Sequence, residues 1–321
     1  MTDPALHGAL LVDKPSGPTS HDIVSFTRRL LKTRRVGHTG TLDPLATGLL
    51  VLLVGHATRL AQFLVSDEKE YIADIRLGIA TPTYDAASLD DSRSVGRGAR
   101  GVTLQLIEAA LPDRVGTYPQ LPPPYSAKKI EGVRAYEMAR KRETVELKPV
   151  EITVRELELV AFDPQAPLLA PRSSPLESGG LLRLRVAASA GFYVRSLAHD
   201  LGQALGCGGH LEALRRTRAG RFRIEDAAPL DALERMGSTA SSRLLRVNDL
   251  LAEYPEVSLT EEGLRRAANG NALAPHHLAE LAASGGLRAG ARVRVLDAGG
   301  EVLAVAERRA DGLLHPLLVL R

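Results

Sequence analysis

The chain has 321 residues, 44 % hydrophobic and 25 % charged, with a formal net charge of +3. That exceeds the size to which one core usually grows, so two domains, or a large one with a small appendage, are expected. No apolar run approaches the ~18 residues of a membrane span, the N-terminus lacks the basic-then-apolar layout of a secretory signal, and the single cysteine, Cys207, excludes an intrachain disulfide or thiolate metal cluster; a cytoplasmic address is expected.

Residues 9–12 predict a short strand, ended by the turn-rich Asp13-Lys-Pro-Ser-Gly-Pro18, after which Thr19 or Ser20 can cap a helix carrying Ile23, Val24, Leu30 and Leu31. The glycine-rich segment Gly37-His-Thr-Gly-Thr-Leu-Asp-Pro-Leu-Ala-Thr-Gly48 follows, then a buried strand over 49–54 and a helix through Leu60, Phe63 and Leu64. Tyr71, Ala73, Ile75 and Leu77 alternate with polar residues, the period of a half-buried strand. Residues 81–101 read as a polar, acidic loop, and 104–111 as a helix with Leu104, Leu106, Ile107 and Leu111 on one side.

Residues 119–149 carry Lys128, Lys129, Arg134, Arg140, Lys141 and Arg142 and read as a projecting basic insertion. Strands are expected over 150–159 and 181–187, separated by a surface loop at 164–180 rich in proline, serine and glycine. Ser189-Ala-Gly-Phe-Tyr-Val-Arg195 then leads into a helix over 196–205 ended by glycines, and a second helix is expected before Arg215. From about residue 248 the texture becomes that of a small β-rich module with one short helix over 261–268.

Basic residues are unevenly spread. Arg28, Arg29, Lys32, Arg34 and Arg35 form one run without an acid between Asp22 and Asp43, and Arg215, Arg216, Arg218, Arg221 and Arg223 form another. One such run alone reads as a solvated face; two acid-free runs point to a polyanion, RNA foremost.

In the glycine-rich segment, Gly37, Gly40 and Gly48 are expected to supply positive φ or close approach, and Pro44 pushes Asp43 toward extended backbone. Neither G-x-G-x-x-G nor G-x-x-x-x-G-K-[ST] is present, so phosphate cradling in those modes is not indicated. On spacing alone, a structural turn with Asp43 as a local cap is the better reading.

The string Gly37-His-Thr-Gly-Thr-Leu-Asp-Pro-Leu-Ala-Thr-Gly48-Leu-Leu resembles the signature of the bacterial TruB family of tRNA pseudouridine-55 synthases. Lys14-Pro-Ser-Gly-Pro-Thr-Ser20, Lys69-Glu-Tyr71, Pro122-Pro-Pro-Tyr-Ser-Ala-Lys128, Gly191-Phe-Tyr-Val-Arg195 with Leu201-Gly202, and Leu214-Arg-Arg216 resemble further family motifs in the family's order, over most of residues 8–224. Lys141-Arg142, where a glycine would be expected, and the long 164–180 loop depart from the pattern.

The resemblance implies an α+β pseudouridine synthase fold with a mixed, mainly antiparallel sheet: a catalytic domain over 1–250 with a thumb-like insertion at about 120–148, and an RNA-binding PUA-like domain over 251–321. It implies isomerisation of a uridine in the T arm of tRNA, with no cofactor, metal or protein partner, by a monomer. Asp43 would be the essential carboxylate, as nucleophile or general base. Arg195 would pair with it and Asp85 would hold Arg195; Tyr71 would stack on the base, Tyr193 and Leu214 would wall the pocket, Lys14 would shape its floor, and His38 would occupy the space left by the flipped base. Lys128, Lys129, Arg134, Arg215 and Arg216 are candidate RNA contacts. Two alternatives share the architecture: a guide-RNA-dependent rRNA pseudouridine synthase, and a non-catalytic tRNA-binding or tRNA-folding protein. Asp43, Tyr71 and Arg195 together argue against a pure binder, which has no need of that triplet.

Overall fold

The computed structural model describes residues 6–65, 68–91, 93–94, 99, 101–124, 129–130, 133–134, 147–167, 180–281 and 287–320. Its large sheet runs in the order Ala228–Pro229, Gly8–Lys14, Thr47–Val54, Gly209–Ala219, Lys69–Leu77, Leu181–Ala188, Val150–Asp163, Gly116–Gln120. Val36–His38 pairs beside Thr47–Val54, and Phe222–Arg223 beside Gly209–Ala219. Ala228–Pro229 on Gly8–Lys14 and Gly209–Ala219 on Thr47–Val54 are parallel; the other pairings are antiparallel, so the sheet is mixed and mainly antiparallel, as expected.

Thr47–Val54 explains the layering. Its apolar residues occupy both phases of the pleat, which is the pattern of a strand covered on both faces. Leu50, Leu52 and Val54 join Ile23 and Val24 of helix Ser20–Leu30 and Leu197 and Leu201 of helix Val194–Ala204 in one core. Leu49, Val51 and Leu53 face the other way, onto Phe63, Phe222, Leu250 and Leu251 and onto Val302, Val305, Leu318 and Leu320 of the C-terminal sheet. That second sheet has the order Leu278–Leu281, Glu256–Leu259, Arg292–Leu296, Val302–Arg308, Leu314–Val319. Its own core holds Val257, Val293, Val295, Leu303 and Ala306, and helix Glu261–Ala268 closes it, capped by Thr260.

Thr19 caps the first helix through a capping box with Asp22. The helix expected before Arg215 is instead the strand Gly209–Ala219. His210-Leu-Glu-Ala-Leu-Arg-Arg has good local helix formers, but pairing on both sides with Lys69–Leu77 and Thr47–Val54 overrides that preference. Bulges between Leu211 and Ala213 and between Arg216 and Arg218 shift its phase. In helix Leu104–Ala110, Ile107 is buried but Leu104 and Leu106 face solvent, so the expected four-residue apolar side is narrower than its composition. Of the basic insertion, Lys129–Ile130 pairs with Val133–Arg134 as a short hairpin; Lys128 and most of the rest, like most of the 164–180 loop, lie outside the described residues.

Candidate active site

The loop around Asp43 is held from three sides. Ser20, first residue of the first helix, both donates to the Leu42 carbonyl at 3.0 Å and accepts from the Leu42 amide at 2.8 Å. Lys14, fully buried at the end of its strand, donates from Nζ to the carbonyls of Ala46 at 2.7 Å, Pro15 at 2.8 Å and Pro44 at 3.3 Å. Burial lowers the Lys14 ammonium to about 8, against the opposing pull of Asp43. Arg216, also buried, donates from Nε to the Leu49 carbonyl at 2.7 Å and from Nη2 to the Gly40 carbonyl at 3.1 Å.

Gly48 has φ +98°, and a Cβ there would lie 2.3 Å from the Arg216 carbonyl oxygen, so the parallel pairing of the two strands at this point requires glycine. Gly37 and Gly40, expected to share that freedom, lie outside the positive-φ region.

Asp43 meets Arg195 in a two-pronged contact, Nε to Oδ2 at 3.0 Å and Nη2 to Oδ1 at 3.4 Å. The same guanidinium reaches Oδ2 of buried Asp85 at 3.4 Å and the Thr83 carbonyl at 3.3 Å. Asp85 in turn accepts from the Thr83 hydroxyl at 2.6 Å and the Ala87 amide at 3.0 Å, so one arginine joins two carboxylates and the second carboxylate is itself fixed. Tyr84 between them has φ +63° and stacks on His199, with ring centroids 3.8 Å apart, which anchors this turn to the helix carrying Arg195. Burial is the largest influence on the Asp43 carboxyl and raises it above the ordinary aspartate value; Arg195 pulls it down, Asp85 pushes it up and Lys14 pulls it down. The pull of Arg195 toward the ionised form is present, but burial outweighs it.

These groups open onto a cavity of about 400 Å³ lined by Asp43, Tyr71, Phe192, Tyr193, Arg195 and Leu214 among others. Tyr71 stands on the strand between Arg216 and Val186, its register partners on the two sides. Two residues that the motif reading passed over hold the opposite wall. Gln120 exchanges hydrogen bonds with both peptide groups of Tyr193, and Ser196 donates to the Leu121 carbonyl at 2.7 Å. A polar residue closing a strand just before Leu121-Pro-Pro-Pro was the available signal.

Other expected site residues lie elsewhere. Lys14 sits beneath the loop and not on the cavity wall. His38 ends its short strand, where burial and the nearby charges of Arg216 and His21 lower its pKa, and it is not among the cavity-lining residues. Arg216 also lines the cavity: besides the backbone carbonyls of Leu49 and Gly40, its side chain hydrogen-bonds the side chain of Tyr71. Arg215 pairs with Asp13 at 2.8 and 3.1 Å. The run around it is acid-free in sequence yet not in space, since Arg218 meets Glu68 at 2.7 Å. Among the described residues no group of three or more His, Cys, Asp or Glu is placed to hold a metal ion, and no helix is long and apolar enough to cross a membrane.

The family model described as TruB family pseudouridylate synthase (N terminal domain) matches residues 28–194, and that described as tRNA pseudouridylate synthase B C-terminal domain matches 195–253. Proteins named tRNA pseudouridine synthase B are similar along nearly the whole length. That of Solibacter usitatus (strain Ellin6076) is 39 % identical over 98 % of this chain and 100 % of its own. That of Burkholderia mallei (strain NCTC 10247) is 42 % identical over 97 % and 96 %. Among solved structures, a chain of a Cbf5-Nop10-Gar1 complex superposes with a TM-score of 0.68 at 23 % identity, covering 98 % of this chain and 85 % of that one, a likeness of fold. The string around Asp43, the strand order that presents it and the full-length similarity agree: the chain belongs to the TruB family of pseudouridylate synthases.

Proposed function

We propose that this chain is a tRNA pseudouridine synthase that converts uridine 55 to pseudouridine with Asp43 as its catalytic carboxylate. The observation that carries this reading is the Asp43–Arg195 pair at the floor of a cavity with Tyr71 and Leu214 on its walls, in a chain of this family. The reaction breaks the bond from N1 to the ribose carbon C1′, turns the ring and joins C5 to the same carbon; C5 loses a proton, N1 gains one, and nothing is oxidised or reduced. One carboxylate in a pocket that excludes water suffices, whereas glycoside hydrolysis recruits water between two.

In this reading Arg195 aims Asp43 at the sugar, and Asp85 aims Arg195. Tyr71 stacks on the base, with Tyr193 and Leu214 bounding the pocket, and the flipped uridine costs roughly a few kcal/mol of lost stacking that these contacts offset. Lys14 acts beneath, by keeping the loop's carbonyls in place, and Arg216 holds the Leu49 and Gly40 carbonyls while also touching Tyr71 at the cavity wall. His38 fills the space that the extruded base vacates in the RNA. Lys128, Lys129, Arg134 and Arg215 serve the RNA backbone around the T arm. Residues 1–250 form the catalytic domain, and 251–321 a PUA-like RNA-binding domain whose Val302, Val305, Leu318 and Leu320 pack on the back of the catalytic sheet. The enzyme acts as a monomer in the cytoplasm, where its tRNA substrate is found.

The test is release of label from a tRNA transcript carrying tritium at C5 of uridine, beside a transcript with cytidine at the target position. Release from the first and none attributable to the target in the second is expected. No release from either contradicts the reading, and release only after adding a guide RNA favours the guide-dependent alternative.

A further inference from the structure

The two basic runs have different fates. Arg215 and Arg218 are paired with Asp13 and Glu68, and Arg216 is buried. In the other run, Arg29, Lys32, Arg34 and Arg35 are exposed, and among the described residues none of them has a carboxylate partner. Arg28 donates to the Val36 carbonyl at 3.0 Å, and Arg35 approaches His56 at 3.5 Å. This cluster occupies the end of the first helix and the turn that follows it. The helix begins at Ser20, in contact with Leu42 beside Asp43, and runs for 11 residues away from that loop, about 16 Å at 1.5 Å per residue.

A strand gives an independent measure. Val36 pairs with Val54, at the far end of Thr47–Val54 from the Asp43 loop, seven residues or about 23 Å along. Helix and strand are both packed in the core, so the cluster is held rigidly at that distance. It also borders the C-terminal sheet: the Gly55 amide donates to the Arg35 carbonyl at 2.8 Å, and Arg59 of the same turn donates to the Val319 carbonyl.

We propose that Arg29, Lys32, Arg34 and Arg35 form a second phosphate-contact surface, which engages RNA backbone beyond the T arm while the cavity holds the target uridine. The inference rests on the proposed tRNA substrate. Four cations without a carboxylate partner among the described residues, on a rigid support, suit a polyanion, and at about 16–23 Å from the Asp43 loop they are far enough from the cavity to meet RNA backbone other than that of the loop that enters it. Full-length tRNA therefore gains contacts that an isolated T-arm hairpin cannot make.

The experiment compares the triple variant Arg29→Gln, Arg34→Gln, Arg35→Gln with the wild type. Dissociation constants are measured for an unmodified full-length tRNA transcript and for the T-arm hairpin over a range of salt concentrations. The wild type is expected to bind the full-length transcript more tightly. The variant should lose roughly tenfold on it, with the salt slope reduced by about 2–3, near 0.9 per released phosphate contact, and should bind and turn over the hairpin as before. Equal wild-type affinity for the two RNAs, equal weakening on both, or no weakening on either would overturn the proposal. Hairpin turnover by the wild type reports the tRNA reading separately, since it does not involve the cluster.

Discussion

Gln120 and Tyr193 exchange two hydrogen bonds: the Tyr193 amide donates to Gln120 Oε1 at 2.8 Å, and Gln120 Nε2 donates to the Tyr193 carbonyl at 3.0 Å. Gln120 ends the strand that leads into the basic insertion, and Tyr193 precedes the helix that carries Arg195. The pair therefore fixes the base of the insertion to the segment that aims Arg195. Gln120→Ala strands one peptide donor and one acceptor in a buried place, and should cost about 1–3 kcal/mol in urea unfolding. Label release should fall about tenfold or more under conditions where the variant remains folded. An unchanged rate in a folded variant would remove Gln120 from the positioning of the site.

Gly48→Ala tests the close approach of the two central strands. A Cβ would meet the Arg216 carbonyl at 2.3 Å, in a backbone conformation with φ +98°. Backbone strain of about 1–3 kcal/mol adds to the clash, so the variant should unfold at markedly lower urea. Since Arg216 and Leu214 line the cavity, activity should fall below what the unfolded fraction explains. A melting temperature and rate equal to the wild type would contradict this close packing.

Adjacent arginines should behave in opposite ways. Arg215→Gln removes an ion pair whose arginine side chain is 43 % exposed, and such a pair is worth about 0–1 kcal/mol. Arg216→Gln takes a buried donor from the carbonyls of Leu49 and Gly40 and should cost several times more, about 2–4 kcal/mol, with loss of activity. Chemical denaturation of both variants checks the contrast, and similar costs would contradict it.

The pH dependence follows from Asp43. Its folded pKa lies above the ordinary 3.8, chiefly through burial, so the ionised carboxylate is present above that raised value and is lost as pH falls through it. The acid limb of kcat/KM should therefore centre above pH 3.8. Arg195 pulls Asp43 down, so in Arg195→Gln the residual activity should show its acid limb at still higher pH. A limb that stays in place or moves to lower pH would contradict the electrostatic role given to Arg195.

The Asp43 loop was legible because its signal is a continuous string of local residues. So were the first helix, capped by Thr19, one of the two candidates, and the buried strand read over 49–54 from its unbroken apolar run, which is observed over Thr47–Val54. What stayed hidden depends on contacts distant in sequence. The strand Gly209–Ala219 looks helical locally and becomes a strand because its partners lie more than a hundred residues earlier. The second arginine run looked free because Asp13 and Glu68 reach it only across the sheet. Lys14 showed as a basic residue in a turn, while its work of binding three carbonyls requires the strand and the loop to be brought together.

The most direct test of the account is single-turnover release of tritium from C5 by the wild type and by Asp43→Asn, with tRNA binding measured in parallel. The substitution keeps the size of the side chain and removes its charge, so binding should persist while release falls by at least several orders of magnitude. Release by the folded, tRNA-bound Asp43→Asn variant at a rate comparable to the wild type would contradict the claim that Asp43 carries the chemistry.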